Sequence, residues 1–256
     1  MRTVIKIGTS TLAYPTGRLH IRRVSELCRV ISDLKNSGME IILVSSGAIG
    51  MGVGKLGLKE RPRDIPTKQA AAAVGQCELM DTYDGLFREY NHTVAQILLT
   101  GADFRHPDRL ENFRNTVLRL LDLGVLPIIN ENDTIATDEI RVGDNDTLSA
   151  LVAAEIQADK LILLSDIDGL YTADPRKDRS ATRIPRVDTI DERILALAGG
   201  EGSALGTGGM KTKLHAAQIC TSVGCEMVIL NGSDPSLLYR LFDGEQVGTV
   251  FAGEKK

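Results

Sequence analysis

Short apolar runs alternate with segments of helical periodicity along most of this chain, and that alternation restricts the fold more than any single motif does. The runs are Thr3–Ile7, Glu40–Val44, Thr93–Leu99, Val125–Asn130, Lys160–Leu164 and Glu226–Leu230, with a last short one at Thr249–Phe251. Between the first two, Ile21, Val24, Leu27, Cys28, Ile31 and Leu34 fall at helical spacing and stop at Gly38. Further helices are expected over 67–90 (as one piece or two), 109–123, 147–157, 191–198 and 209–223, with a short one near Pro235. Strands this uniformly apolar are covered on both faces, so the pattern predicts an α/β fold with a mainly parallel central sheet. Ligands of such sheets collect at the carboxyl ends of the strands.

Lys6 interrupts the first of these strands. An ammonium inside a buried strand is costly unless it meets an anion. Gly8, Thr9 and Ser10 follow at once, which places that anion at the strand's carboxyl end and suits a phosphate.

The totals exclude several function classes. A net charge of −4 speaks against nucleic acid as the main partner. No apolar run is long enough to span a bilayer, and no secretory h-region precedes the first strand. Cys28, Cys77, Cys220 and Cys225 show neither a CxxC nor a histidine-paired spacing, which argues against zinc or a disulfide framework and for a reducing, cytoplasmic setting.

The strand ends carry the polar signals. Ser45-Ser46-Gly47-Ala48 offers small residues where backbone N–H groups can converge on a carboxylate or phosphate; a tight turn is the plainer alternative. Gly52-Val53-Gly54-Lys55-Leu56-Gly57 is formally G-x-G-x-x-G, but it sits well past the strand in what reads as a charged, proline-containing loop, so a dinucleotide site is rejected. The stretch from Asn130 through Asp133 to Asp144-Asn145-Asp146-Thr147 is dense in amides and carboxylates, able to hold an amino acid's ammonium and carboxylate. Helix capping accounts for Asp144–Thr147 equally well. Asp166 should end the Lys160–Leu164 strand and orient lysines electrostatically, while Asp168-Gly169 reads as a turn. Residues 175–187 read as a basic surface loop. Gly206 to Lys213 runs from a flexible loop into a helix and is only loosely like a Walker A loop. Lys211 and Lys213 point about 200° apart on a helix, so at most one reaches a reacting centre.

Together, Lys6-Ile7-Gly8-Thr9-Ser10, Ser45–Ile49, Asn130–Asp133, Val142–Asp146, Gly169–Pro175 and Gly206–Met210 resemble the amino-acid kinase family, in its glutamate-phosphorylating form. The resemblance runs in order over nearly the whole chain. It implies a three-layer αβα sandwich that phosphorylates the γ-carboxylate of L-glutamate with ATP and Mg²⁺, the first step of proline biosynthesis. By position, Lys6 and Lys213 resemble the family's phosphate-contacting lysines, and Ser46, Asp133 and Asn145 its glutamate contacts. Ser165 and Asp166, with Thr207, Gly208, Gly209, Met210, Lys211, Thr212 and Lys213, resemble its ATP-binding segments. Asp166 is expected to hold both lysines in place. No protein cage of metal ligands is expected. The resemblance also implies L-proline as feedback inhibitor and a homo-oligomer, dimer or tetramer. Many members carry a C-terminal PUA domain, for which a chain ending at Lys256 leaves no room, so one kinase domain over 1–256 is expected. Rival readings are a kinase of the same family acting on acetylglutamate, aspartate, carbamate or a nucleoside monophosphate, and a non-catalytic amino-acid-binding regulator.

Overall fold

The computed structural model describes residues 1–14, 16, 18–136, 144–198 and 209–253. In chain order the elements are β1 (Arg2–Ile7), α1 (Thr9–Leu12), α2 (Ile21–Asn36), β2 (Glu40–Ser45), α3 (Ala48–Lys55), α4 (Ile65–Arg88) and β3 (Val94–Leu99). A 3-10 turn at Asp103–Arg105 leads to α5 (Pro107–Asp122), β4 (Leu126–Glu131), α6 (Asn145–Glu155) and β5 (Lys160–Ser165). Three two-residue strands follow, β6 (Leu170–Tyr171), β7 (Arg183–Ile184) and β8 (Arg186–Val187). The last are α7 (Glu192–Ala196), α8 (Met210–Ser222), β9 (Glu226–Asn231), α9 (Leu237–Phe242) and β10 (Thr249–Phe251).

Eight strands form one sheet in the order β3-β4-β2-β1-β5-β9-β10-β8. Its pairings are parallel except β9 with β10. Side chains of a strand alternate between faces, and the core divides accordingly. Val4, Ile42, Val44, Leu161, Leu163, Met227 and Ile229 pack with α6 and α8 on one face. Ile5, Ile7, Ile41, Leu43, Ile162, Leu164, Val228 and Leu230 pack with α2, α4 and α9 on the other. Both faces are covered, as parallel strands require.

Two segments expected as loops need correction. The segment 52–57 is not a loop: Gly52 and Gly54 lie within α3, and only Gly57 follows it. The helix expected over 67–90 is one piece, Ile65–Arg88, begun by Asp64, whose carboxylate accepts the Thr67 backbone N–H at 2.8 Å. The glycines serve helix packing. A Cβ on Gly52 would collide with the Ala71 carbonyl, and one on Gly75 with the Ala48 carbonyl oxygen and Gly52 nitrogen. Only hydrogen at these positions lets α3 and α4 cross this closely. Residues 175–187 are likewise more than a loop, since β7 pairs with β6 and β8 with β10.

Gly75→Ala should therefore destabilise the protein by about 2 kcal/mol or more, as overpacking does when backbone must move. Gly85 lies in the same helix with open space where its Cβ would go. Gly85→Ala should stabilise by roughly 0.5–1 kcal/mol. Opposite shifts of the two denaturant midpoints check the crossing; equal shifts would refute it.

Candidate active site

The alternation that sorts the core also aims Lys6. It shares a face with Val4, so β1 delivers its side chain towards α6 and α8. The first turn of α6 contributes Asp146 and the first turn of α8 contributes Lys213. Lys6 Nζ lies 2.7 Å from Asp146 Oδ1, and Lys213 Nζ donates to Oδ2 at 2.9 Å. Thr212 Oγ1 donates to the same Oδ2 at 3.0 Å. The Lys6 contact is an ion pair rather than an aligned hydrogen bond, which leaves Oδ1 with no aligned donor. Asp146 is 1% exposed and Lys213 5%. Burial alone would push the Asp146 carboxyl up, but the charges of Lys6 and then Lys213 overcome it and hold the group well below the usual carboxylate range.

The carboxylate joining the two lysines is thus Asp146, which corrects the assignment of that role to Asp166. Asp166 follows the end of β5, exposed on the wall of the same pocket, where it accepts a hydrogen bond from Ser165 Oγ at 3.1 Å. The signal for Asp146 was present in the sequence. Asp146, Ser149, Ala150 and Ala153 fall at helical spacing and form the buried stripe of α6. An acid at the head of a small-residue stripe faces inward. Helix capping belongs to Asp144, which accepts the Thr147 N–H at 2.9 Å and hydroxyl at 3.0 Å.

A cavity of about 760 Å³ opens over the carboxyl ends of β1, β2, β4 and β5. Lys6, Lys213, Asp146, Ser165 and Asp166 line it together with Ser46, Asn130, Asp133 and Asn145. Ser46 and Asn145 meet directly, Asn145 Nδ2 donating to Ser46 Oγ at 2.8 Å. Gly47 turns β2 into α3 with φ 99°, a left-handed conformation that favours glycine. No side chain caps α3, and Gly47 to Gly50 line the cavity, so the helix's first N–H groups are available to an anion.

Other expected contacts separate. Gly209 caps α8, and Thr212 reaches Asp146, but Lys211 points to solvent and Met210 packs against the core. Lys213 is therefore the lysine of that pair at the centre. Thr207 and Gly208 lie outside the described residues, as do residues 137–143. Leu58 to Arg63 form an outer rim of the cavity, although in sequence they look like an ordinary charged connection.

This arrangement can bring a polyanion to two cations while a second anion is held opposite. Residues 1–231 match the model of the Amino acid kinase family. The chain is 52% identical over 255 residues to a glutamate 5-kinase of Clostridium acetobutylicum, covering 100% of this chain and 96% of that protein. It is 53% identical over 253 residues to a glutamate 5-kinase of Symbiobacterium thermophilum, covering 99% and 96%. Against the glutamate 5-kinase of Carboxydothermus hydrogenoformans identity is 52%, over 100% of this chain and 68% of that protein. Among solved structures, UMP kinase from Bacillus anthracis superposes with a TM-score of 0.68 at 19% identity, covering 99% and 96%. Carbamate kinase from Giardia lamblia bound to AMP-PNP gives 0.67 at 18%, covering 99% and 98%. By sequence and by fold, the chain belongs to the amino acid kinase family.

Proposed function

We propose that this chain is a glutamate 5-kinase, transferring the γ-phosphoryl group of ATP to the γ-carboxylate of L-glutamate in the first step of proline biosynthesis. The observation that carries the reading is the convergence of Lys6 and Lys213, from opposite ends of the chain, on Asp146 beside the Ser46–Asn145 pair. Relatives of that name at about half identity over the full chain support the choice of acceptor.

The acceptor carboxylate is ionised at neutral pH, so no general base is needed. A γ-carboxylate oxygen attacks the γ-phosphorus, the bond to the β–γ bridging oxygen breaks, and ADP leaves with the electron pair. The obstacle is an anion approaching a polyanion, so positioning and charge neutralisation do the catalysis. Lys6 and Lys213 meet the transferring phosphoryl oxygens, and Asp146 keeps the two ammonium groups together. Ser165, Asp166 and the start of α8 face the nucleotide. Asp133 receives the α-ammonium of glutamate, and the Ser46 hydroxyl with the first N–H groups of α3 receives a carboxylate. Mg²⁺ would offset phosphate charge. Such an ion keeps mostly water and phosphate ligands, and Asp166 offers it an exposed carboxylate on the cavity wall. The family resemblance extends the proposal to L-proline competing at the glutamate loop, to a homo-oligomer and to a cytoplasmic enzyme. Among the described residues no helix is long and apolar enough to cross a membrane.

Hydroxylamine trapping of acyl phosphate tests the reading with glutamate, acetylglutamate and aspartate, each with and without proline. Hydroxamate should form with glutamate and fall when proline is added; preference for another acceptor would overturn the proposal. Asp133→Ala should raise the glutamate KM by about tenfold or more with a smaller change in kcat. An unchanged KM would remove Asp133 from the substrate loop.

A further inference from the structure

The amides at the glutamate end of the cavity form a chain whose polarity is set by groups that cannot reverse. The Glu131 backbone N–H can only donate, and it meets Asn130 Oδ1 at 2.9 Å. The Ser45 carbonyl can only accept, and it meets Asn145 Nδ2 at 3.0 Å. Asn145 Nδ2 also reaches Asn130 Oδ1 at 3.1 Å, besides Ser46 Oγ. Three acceptors occupy its two hydrogens. The group that Asn145 has left for a ligand is the acceptor Oδ1, which suits an ammonium.

With Oδ1 of Asn130 committed, its Nδ2 must find an acceptor on the other side. That acceptor is Gln76 Oε1, 2.9 Å away. Gln76 belongs to α4, is 8% exposed and is absent from the cavity wall. Its own Nε2 is buried with no hydrogen-bond partner among the described residues. Leaving an amide N–H₂ unpaired in the interior is costly. Reversing the Gln76 amide would point donor at donor, so the orientation is held by Asn130.

We propose that Gln76 is a positioning residue that anchors Asn130 by accepting a hydrogen bond from its Nδ2, so that Asn130 Oδ1 stays on Asn145 and Asn145 presents an acceptor to the substrate's α-ammonium. The inference rests on the glutamate reading. Without Oε1, Asn130 Nδ2 is left unpaired in the interior. Turning the amide over cannot cure this, because Nδ2 would then face the Glu131 N–H, so the side chain must shift instead. Asn145 Nδ2 then loses its Asn130 partner, and its acceptor is drawn away from the ligand. The α3–α4 crossing accounts for how a residue so far from the strand ends arrives there, because Gly75, the preceding residue, is where the two helices touch.

The test compares Gln76→Met, which keeps size and loses the acceptor, with Gln76→Glu, which keeps an acceptor in either protonation state. Gln76→Met should raise the glutamate KM about five- to tenfold while kcat and the ATP KM stay within about twofold. Gln76→Glu should bring the glutamate KM back to within about twofold of wild type. Gln76→Ala is made alongside and should behave as the methionine variant. An unchanged glutamate KM in Gln76→Met, or an equal rise in Gln76→Met and Gln76→Glu, overturns the inference. Failure of both the methionine and alanine variants to fold also overturns it, since Gln76 would then serve the helix crossing. Wild-type inactivity on glutamate would sink the proposed function and this inference with it; wild-type activity with unaltered variants sinks the inference alone.

Discussion

Lys6→Ala should lower kcat by about a thousandfold while the glutamate KM changes by less than about threefold, the signature of a contact made in the transition state rather than in substrate binding. The magnitude follows from the chemistry, since removing a preorganised donor to a developing charge costs ~10²–10³, and cationic groups on transferring phosphoryl oxygens reach higher. The structure gives Lys6 no freedom to do otherwise. Its backbone is locked in register between Val44 of β2 and Leu163 of β5. Its Nζ emerges beside Gly8, where a Cβ would stand 3.7 Å from it, and ends on Asp146. Lys213→Ala should fall in the same range, since that ammonium holds the other carboxylate oxygen. Lys211→Ala is the control and should retain wild-type kcat, because Lys211 is exposed and lies off the buried face of α8. Near-normal kcat in Lys6→Ala, measured at saturating ATP, would remove Lys6 from the phosphoryl site. A matching loss in Lys211→Ala would exchange the roles on α8.

The central strands were legible because each is buried on both faces, and a continuous apolar run of strand length bounded by glycine or polar residues fits little else. β6, β7 and β8 were not, since strands of two residues carry no periodicity, and the partner of Arg186 and Val187 lies far along the chain at Val250 and Phe251. The misplaced Gly52-x-Gly54 shows a different limit. Glycine reads as loop when judged alone, and its use as a contact point between helices becomes visible only when Ala71 and Ala48 stand opposite. In the site, Lys6 announced itself as a charge in an apolar strand. Asp166 looked equally good, an acid after an apolar strand, but position along a strand says nothing of what stands above it. Asp146 needed the phase of α6, which its buried partners Ser149, Ala150 and Ala153 supply. Gln76 gave no signal, for a glutamine in an alanine-rich helix is ordinarily on the surface.

Asp146→Asn should lose activity nearly as far as the lysine variants, kcat falling by about a hundredfold or more, and should lose stability as well. Both lysines keep their chemistry in this variant, so the activity loss would arise from placement. With the carboxylate neutral, two ammonium groups within reach of one another are no longer drawn together, and a phosphoryl group meets cations it must organise itself. Stability falls because Lys213 remains buried without its counter-charge, a situation that typically costs about 3 kcal/mol or more. The pH dependence separates this account from a loss of packing. The carboxyl's pKa is lower in the folded protein than in the unfolded chain, so the folded state binds fewer protons. Its contribution is complete above the unfolded value of about 3.9 and is lost as pH falls through the depressed folded value. Wild-type stability should therefore decline across that acid window more steeply than that of Asp146→Asn, and the gap between the two should narrow towards the acid end. Denaturant titrations between about pH 2 and pH 7 would read this directly. Parallel curves, with a constant gap down to the lowest pH, would mean that Asp146 fills space under α8 and does not hold the two cations in place.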